Sequence, residues 1–240
     1  MVSDAWRGMV GIIKPTKGSA SLVEMIRMLP DGIGIIPLFN NIRHGKIEEF
    51  RAALPAYEEK IAELAQDQVD LIHAAGTPPF MLLGYNGEQE IIERWEKRFK
   101  IPIFTSGTNQ IAALKALNIK KFVGVGYDFE DTSIVRNYFT AAGFDVLGIE
   151  RLPVPWEEVG RLSSTEVYYH VKRLFLKNPY ADGIYFQGGK LRILDIIELL
   201  EQDLQIPVLH PGVAQAWEIQ KRLNVRQPKT GYGRLLAEMP

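Results

Sequence analysis

The chain has 240 residues, of which 46% are hydrophobic, with a formal net charge of -1 at pH 7 and no cysteine. A nearly neutral chain has no electrostatic attraction to nucleic acid or to an anionic membrane, so we expect a small-molecule ligand instead. The lack of cysteine excludes thiolate nucleophiles, disulfides and cysteine-ligated metals. No apolar run approaches the roughly 20 residues that cross a bilayer, and the first residues lack the pattern of a secretion signal. We therefore expect a soluble cytoplasmic protein.

Apolar runs and segments with helical spacing alternate from the start of the chain. Met9 to Ile13 and Gly32 to Phe39 are apolar runs without polar alternation, as expected for strands buried on both faces of a parallel sheet. Between them, Ser19 to Leu29 has apolar residues at helical spacing. Lys46 to Gln66 predicts a long amphipathic helix, in which Pro55 either kinks the helix or separates two shorter helices.

The same alternation continues along the rest of the chain. After the apolar run that starts at Asp70, further strands are predicted at 101–104, 121–125, 146–149, 184–186 and 206–209. Helices are predicted at 88–99, 109–117, 131–142, 164–176, 191–200 and 214–223. Regular alternation of this kind predicts an α/β protein with parallel sheets that are covered by helices.

The second half of the chain repeats the first. An apolar run that begins with Asp ends in glycine twice, at Gly76 and at Gly188, and each copy continues to an Ile-Pro strand, a Gly-containing turn and a Leu-Asn pair. We therefore predict two pseudo-symmetric α/β domains, with Gly76 and Gly188 at equivalent positions. The first domain is predicted to cover 1–118 plus a C-terminal helix at about 213–240, and the second 119–212.

Ligands of such folds bind beyond the carboxyl ends of the strands, so the turns at these ends are the places to find a site. Two of them, Gly76-Thr77 and Thr105-Ser106, lead into helices and offer backbone N–H groups and hydroxyls to an anion. Neither turn has the glycine spacing of a nucleotide-binding loop, so a carboxylate is the expected ligand. The alternative for each hydroxyl is that it only caps a helix.

Three further residues at strand ends carry usable chemistry. Tyr127 can direct its hydroxyl toward an anion, or simply pack as an aromatic residue with its hydroxyl at the surface. Lys190 follows the paired glycines Gly188 and Gly189, although an exposed lysine at a helix start is the commoner explanation. His210 can serve as acid or base near neutral pH.

The histidines do not suggest a metal site. The four histidines are scattered and form no His-x-x-x-His pair, so we expect no metal. His73 lies within a predicted strand and is expected to be a core histidine with a hydrogen-bond partner. His44, beside Arg43, is expected at the surface of a loop.

The order and spacing of these motifs resemble the aspartate/glutamate racemase superfamily, within it the branch of arylmalonate decarboxylases and maleate cis-trans isomerases. The resemblance covers nearly the whole chain. It implies two flavodoxin-like domains, each a parallel sheet flanked by helices, with a cofactor-independent site between them. The segments that carry it are 10–15, 75–77, 105–106, 126–127, 188–195, 206–209 and 214–217.

The chain departs from this family pattern at its cysteines. Members of the superfamily resemble this chain in their turns but mostly place a cysteine at one or both of the positions held here by Gly76 and Gly188. The decarboxylase branch keeps only the second cysteine, as a proton donor. Thr77 and Tyr127 match positions that hold a substrate carboxylate in the decarboxylases, whereas Pro78 replaces a frequent serine and removes an N–H and a hydroxyl. The resemblance implies a substrate-binding set of Thr77, Gly76, Pro15, Thr105, Ser106, Gly188 and Gly189.

The leading hypothesis is a cofactor-independent lyase or isomerase of a small carboxylic acid, most simply a decarboxylase-like enzyme with a non-cysteine acid. Lys190 and His210 are the candidates for that acid, with Tyr127 as a further catalytic residue. Proximity to the missing cysteine favours Lys190, whereas an ordinary pKa near 6.5 favours His210. The alternatives are a maleate isomerase-like enzyme and a non-catalytic carboxylate-binding protein, and homo-oligomerisation is left open.

Overall fold

The computed structural model describes residues 5–17, 20–126 and 131–240. These residues form two four-stranded parallel sheets. The strands of the first sheet are β1 (Gly8–Lys14), β2 (Ile33–Phe39), β3 (Leu71–Ala74) and β4 (Ile103–Thr105), in the order β2-β1-β3-β4. The strands of the second are β5 (Lys121–Gly126), β6 (Asp145–Arg151), β7 (Gly183–Phe186) and β8 (Val208–Leu209), in the order β6-β5-β7-β8.

Helices connect the strands and pack against both sheets. In the first half they are α1 (Ala20–Met28), α2 (Ile47–Ala52), α3 (Leu54–Gln66), α4 (Thr77–Met81), α5 (Gly84–Phe99) and α6 (Ser106–Ala116). In the second half they are α7 (Ser133–Ala141), α8 (Ser164–Lys177), α9 (Ile197–Leu204), α10 (Pro211–Arg222) and α11 (Arg234–Glu238). The predicted α/β architecture with two pseudo-symmetric parallel sheets is therefore confirmed. None of these helices is long and apolar enough to span a membrane.

The repeated residues have the same structural task in both halves. The carboxylate of Asp70 accepts the backbone N–H of Met9 at 2.7 Å, and that of Asp182 accepts the N–H of Lys121 at 2.9 Å. Each aspartate thereby fastens the start of the neighbouring central strand. The Leu-Asn pairs end α6 and α10, where Asn118 has φ +56° and residue 224, also Asn, has the same value. Asparagine tolerates this left-handed conformation better than most residues.

Several predicted helix bounds are wrong, and each has a local cause. At 46–66 the alternative of two shorter helices is confirmed: they meet at Ala53, because Pro55 lacks the N–H that a continuous helix needs. The predicted helix at 191–200 begins only at Ile197, after a short 3-10 turn at Leu194–Ile196. The helix predicted from residue 109 begins at Ser106, because the side chain of the preceding threonine caps it directly. Residue 19, the predicted start of α1, lies outside the described residues.

The two halves meet along equivalent helices. Helices α6 and α10 follow the last strand of each sheet, and they pack against each other. Helix α10 also packs against α1, and α11 packs against α10, so the C-terminal part of the chain returns to the first half. The predicted domain boundaries after residues 118 and 212 stay predictions.

A buried carboxyl group also joins the halves. Glu88 on α5 is fully buried; its Oε1 accepts a 2.5 Å hydrogen bond from the Thr105 hydroxyl, and its Oε2 accepts one from the hydroxyl of Tyr138 on α7. The close packing of Glu88 and Tyr138 leaves no room for a Cβ at Gly107. Burial raises the pKa of Glu88 to about 7, although the two hydroxyl donors oppose this rise.

We predict that replacing this carboxyl changes the pH dependence of stability. The folded-state pKa of Glu88 lies above its ordinary value of 4.5, so its favourable contribution is present at low pH and is lost as the pH rises through about 7. The free energy of unfolding of the parent, relative to that of Glu88→Gln, should therefore fall between about pH 5 and about pH 8. Denaturant unfolding of both proteins at each pH measures this difference.

The matched control is Glu93→Gln, an exposed position on the same helix. Its stability relative to the parent should change little between the two pH values. If the difference between the parent and Glu88→Gln were equally flat, the Glu88 carboxyl would not titrate in this range.

Candidate active site

A cleft lies where the carboxyl ends of the two sheets face each other. The turns after β1, β3, β4, β7 and β8 all line it, and α1 and α10 contribute one wall. Its volume is about 100 Å³. This is the position that the parallel topology predicts for a ligand.

Eight of the ten predicted site residues line this cleft: Pro15, Gly76, Thr77, Ser106, Gly188, Gly189, Lys190 and His210. Thr105 does not line it, because its hydroxyl donates to Glu88 and accepts the N–H of Thr108 at 3.2 Å. The capping alternative therefore describes Thr105. Tyr127 lies outside the described residues.

Thr77 is held in the cleft by a chain of hydrogen bonds from the second half. The Tyr185 hydroxyl donates to Gln110 Oε1 at 2.8 Å, and Gln110 Nε2 donates to Thr77 Oγ1 at 3.0 Å. All three side chains are almost completely buried. Since Thr77 Oγ1 accepts the amide hydrogen, its own hydroxyl hydrogen is available to a ligand.

Ser106 links the two turns of the first half. Its Oγ accepts the N–H of Gly76 at 2.9 Å and lies 3.2 Å from Nε2 of His73. The Gly76 amide is therefore already engaged and does not offer a free N–H to an anion, contrary to the sequence-based expectation. When the imidazole carries its proton on Nε2, Ser106 accepts both hydrogen bonds and can donate its own hydrogen into the cleft.

His73 is the core histidine that its position predicted. It is buried, stacks on Phe104 with ring centroids 4.3 Å apart, and has Ser106 as its partner. Burial, assisted by the positive charges of Lys14 and Arg222, lowers the pKa of His73 to about 3. The ring is therefore neutral at physiological pH and acts as a fixed support for Ser106.

Only glycine fits at the turn after β3. Gly76 has φ +114°, and a Cβ there would lie 2.9 Å from the Tyr57 hydroxyl and 3.2 Å from Cγ of Pro15. That hydroxyl donates to the carbonyl of Ala75 and is held in place. A cysteine at this position would meet both an unfavourable backbone conformation and an occupied space. The equivalent Gly188 also has a positive φ, of +82°.

Lys190 lies at the rim of the cleft, under an aromatic cover. Its Nζ donates to the carbonyl of Trp156 at 2.7 Å and lies 4.4 Å from the centre of the Trp156 ring. The same indole meets Phe50 edge to face, with ring centroids 6.1 Å apart. Burial lowers the pKa of Lys190, an effect opposed by the negative charge of Glu157.

His210 is buried at the start of α10. Its Nδ1 accepts the N–H of Gly212 at 3.2 Å and thereby caps this helix. Burial lowers the pKa of His210 to about 4, although the carbonyl of Leu191 opposes the shift. The expectation that this histidine keeps a pKa near neutrality is therefore wrong. At pH 7 the imidazole carries no positive charge.

One cation in the cleft was not among the predicted site residues. Lys14, the last residue of β1, is largely buried, and its Nζ donates to the hydroxyl of Ser21 on α1 at 2.7 Å. Burial lowers the pKa of Lys14, and the negative charge of Glu24 opposes this. Its position in a strand-end turn was visible in the sequence. Its partial burial was not visible there.

The entrance to the cleft is positively charged. A depression of about 640 Å³ lies beside the cleft, and four cationic side chains line it: Lys17, Arg43, Lys190 and Arg192. The carboxylate of Glu24 also lines it. An electrostatic field of this sign attracts anionic ligands toward the site. Within the described ranges, no three histidine, aspartate or glutamate side chains are grouped so that they could hold a metal.

Comparison with known proteins supplies a family. The maleate isomerase of Geobacillus stearothermophilus is 24% identical over 244 residues, covering 95% of this chain and 96% of that protein. The maleate isomerase of Pseudomonas putida S16 has a similar structure, with a TM-score of 0.89, 20% identity, and 97% and 99% of the two chains covered. A mutant of the Nocardia farcinica maleate cis-trans isomerase, with a covalently bound succinylcysteine intermediate, has a TM-score of 0.82, 21% identity, and 96% and 98% coverage.

A family model supports the same assignment over nearly the full length. The model for arylmalonate decarboxylase matches residues 10–236. This range contains all the turns that line the cleft, and it contains every strand completely except β1, which loses its first two residues. The chain belongs to the arylmalonate decarboxylase family.

Proposed function

We propose that the protein is a cofactor-independent decarboxylase of small malonate-type acids, with its site in the cleft between the two sheets. The observation that carries the proposal is the Thr77 hydroxyl, which the chain of Tyr185 and Gln110 leaves ready to donate to an anion. The basic entrance supports an anionic substrate. The family membership supports a reaction of this class.

The absence of cysteine favours decarboxylation over cis-trans isomerisation. The Nocardia farcinica isomerase has a succinylcysteine intermediate, which requires a thiolate that adds to the substrate. This chain contains no cysteine, and Gly76 leaves no space for a side chain at the turn after β3. Decarboxylation needs no nucleophile from the protein, only stabilisation of the charge that develops on the substrate.

The proposed reaction has two steps. The bond between the α-carbon and the leaving carboxylate breaks, its electron pair passes into the retained carboxylate as an enediolate, and carbon dioxide leaves. Hydroxyl donors from Thr77 and Ser106 stabilise the enediolate, and donors placed in advance can supply several kcal/mol of such stabilisation. A proton then adds to the α-carbon. Apolar side chains of Phe50, Met28 and Trp156 line the same cleft and limit access of water.

Lys190 is the proposed proton donor. It lies two residues beyond Gly188, which occupies the position of the cysteine donor in the decarboxylases that the chain resembles, and it lines the cleft. His210 is neutral at pH 7 and has its Nδ1 engaged by Gly212, so it lacks the proton that an imidazolium would deliver. Tyr127 is proposed as a further hydroxyl donor to the carboxylate, on the family resemblance alone.

The test is a panel of acids with two readouts. Malonate, methylmalonate and phenylmalonate are assayed for release of carbon dioxide, and maleate is assayed for loss of its absorbance on conversion to fumarate. Release of carbon dioxide from any malonate supports the proposal. Conversion of maleate alone would make the protein an isomerase, and binding of these acids without any turnover would make it a carboxylate-binding protein.

We predict that Thr77→Val weakens the binding of phenylacetate, the product of phenylmalonate decarboxylation. The substitution keeps the shape of the side chain but removes a hydrogen bond to a charged group, which is worth about 1.5–3 kcal/mol, so Kd should rise roughly 10- to 100-fold. Titration calorimetry measures the effect. Thr77→Ser, which keeps the hydroxyl, should bind within about threefold of the parent.

Thr140→Val, an exposed position on α7, is the matched control and should bind like the parent. Thr77→Val also deprives the Gln110 amide of its partner, so thermal unfolding must first show that the variant is folded at the assay temperature. An unchanged Kd in folded Thr77→Val would reduce Thr77 to a purely structural residue.

We predict that Lys190→Met lowers turnover by roughly 100-fold or more, because it removes the general acid while keeping much of the side-chain length. An acid must be protonated to act, so kcat/KM of the parent should fall as the pH rises through the lowered pKa of Lys190. In Lys190→Met, the part of this alkaline decline that Lys190 causes should be absent.

His210→Gln is the comparison variant, since an amide oxygen can still accept the N–H of Gly212. It should retain most of the turnover. Parental turnover in Lys190→Met, together with an inactive but folded His210→Gln, would reverse the assignment of the donor.

A further inference from the structure

We propose that Lys14 is a catalytic residue whose ammonium group contacts the retained carboxylate of the substrate and stabilises the enediolate. The inference rests on the proposed function, because it assigns a role within that reaction. It concerns a residue of the turn after β1 to which neither the sequence motifs nor the family resemblance assigned a role.

The topology places Lys14 beside the anion-binding turn. Strand β1 pairs with β3 in parallel, with Ile13 opposite Ala74, so Lys14 lies opposite Ala75 and next to the turn at Gly76 and Thr77. Neighbouring strands are about 4.8 Å apart. Lys14 and Thr77 both line the cleft, so a carboxylate that accepts the Thr77 hydroxyl lies within reach of a lysine side chain.

The ammonium group of Lys14 has N–H donors beyond the one that the Ser21 hydroxyl accepts. An ammonium has three N–H donors, and Lys14 uses one of them for the Ser21 hydroxyl. Among the residues that the structure describes, Lys14 forms no ion pair, and Glu24 acts on it at longer range. A partly buried charge with a single neutral partner is incompletely compensated. A substrate carboxylate would supply the missing counter-charge.

The surroundings of Lys14 are suited to electrostatic stabilisation. The cleft is lined by Met28, Pro15 and Phe50 as well as by polar groups, and a partly apolar, water-poor site strengthens the interaction between unlike charges. His73 is neutral, so its ring does not repel the ammonium group of Lys14. As the electron pair of the breaking bond moves into the retained carboxylate, its negative charge grows, and the attraction to Lys14 grows with it.

Lys14 and Lys190 have separate tasks in this scheme. Carbon dioxide leaves without the electron pair, Lys190 gives one proton to the α-carbon, and Lys14 keeps its proton throughout. The balance needs no co-reactant, because solvent returns the proton to Lys190. Lys190 lines the basic entrance as well as the cleft, whereas Lys14 lines the cleft and not the entrance.

The experiment compares five proteins, the parent, Thr77→Val and three lysine variants, by titration with phenylacetate and by phenylmalonate turnover. Phenylacetate carries a single carboxylate and is not consumed. Lys14→Met should raise its Kd roughly 10- to 100-fold, the expected loss for a charged hydrogen bond, and should lower kcat as well as kcat/KM. Lys14→Arg keeps the charge and should bind phenylacetate within about threefold of the parent.

Lys121→Met is the matched control, since Lys121 is exposed at the opposite end of the equivalent strand β5. It should behave like the parent in both assays. Lys14→Met replaces a buried charge by an apolar side chain of similar length, so we expect a folded protein, and thermal unfolding checks this. If Lys14 only supported the fold, Lys14→Arg would not bind phenylacetate better than Lys14→Met does.

The outcomes separate this inference from the proposed function. A folded Lys14→Met that binds phenylacetate like the parent, while Thr77→Val does not, would overturn the role of Lys14 and leave the proposed function intact. Loss of binding in Lys14→Met, with no acid turned over by the parent, would support the contact with Lys14 and overturn the proposed reaction. A parent that binds no phenylacetate and releases no carbon dioxide from any of the malonates would overturn both.

Discussion

The hydrogen bond from the Gly76 amide to the Ser106 hydroxyl is the contact on which the cleft depends. It ties the turn after β3 to the turn after β4 at 2.9 Å, at a glycine whose φ is +114°. Nε2 of the buried His73 ring lies 3.2 Å from Oγ of Ser106 and holds this side chain in place. With both turns fixed, Thr77 faces the cleft and receives the Gln110 amide, so a donor from the first half is aligned by the second.

The packing around Gly76 also bears on the absence of the cysteines that the proteins this chain resembles contain. The space beside Gly76 is filled by Tyr57 and Pro15, so the turn has no room for a side chain. A nucleophilic side chain therefore cannot be accommodated at this position. What remains is a set of donors and cations around an open cleft. Such a site is suited to stabilising charge that develops on a bound substrate and is poorly suited to covalent chemistry.

The sequence predicted the architecture because the architecture follows from local rules. Apolar runs without alternation predict buried strands from their spacing alone. The Asp that starts each copy accepts a backbone N–H, and the Asn after α6 and after α10 adopts a left-handed backbone conformation, so both act locally. The electrostatics of the site depend on burial, which spacing does not reveal. Burial lowers the pKa of His210 to about 4, and it distinguishes Lys14 from the exposed lysines of the same chain.

In the proposed reaction, the positions of the two cleft lysines suit them to different tasks. A proton donor must be recharged from solvent after each cycle, which favours Lys190, because it lies between the cleft and the basic entrance. A stabilising cation must instead keep its charge while water is excluded, and for Lys14 the negative charge of Glu24 favours this against the effect of burial. In the proposed reaction, the two lysines would thus supply the proton and the stabilising charge from different parts of the cleft.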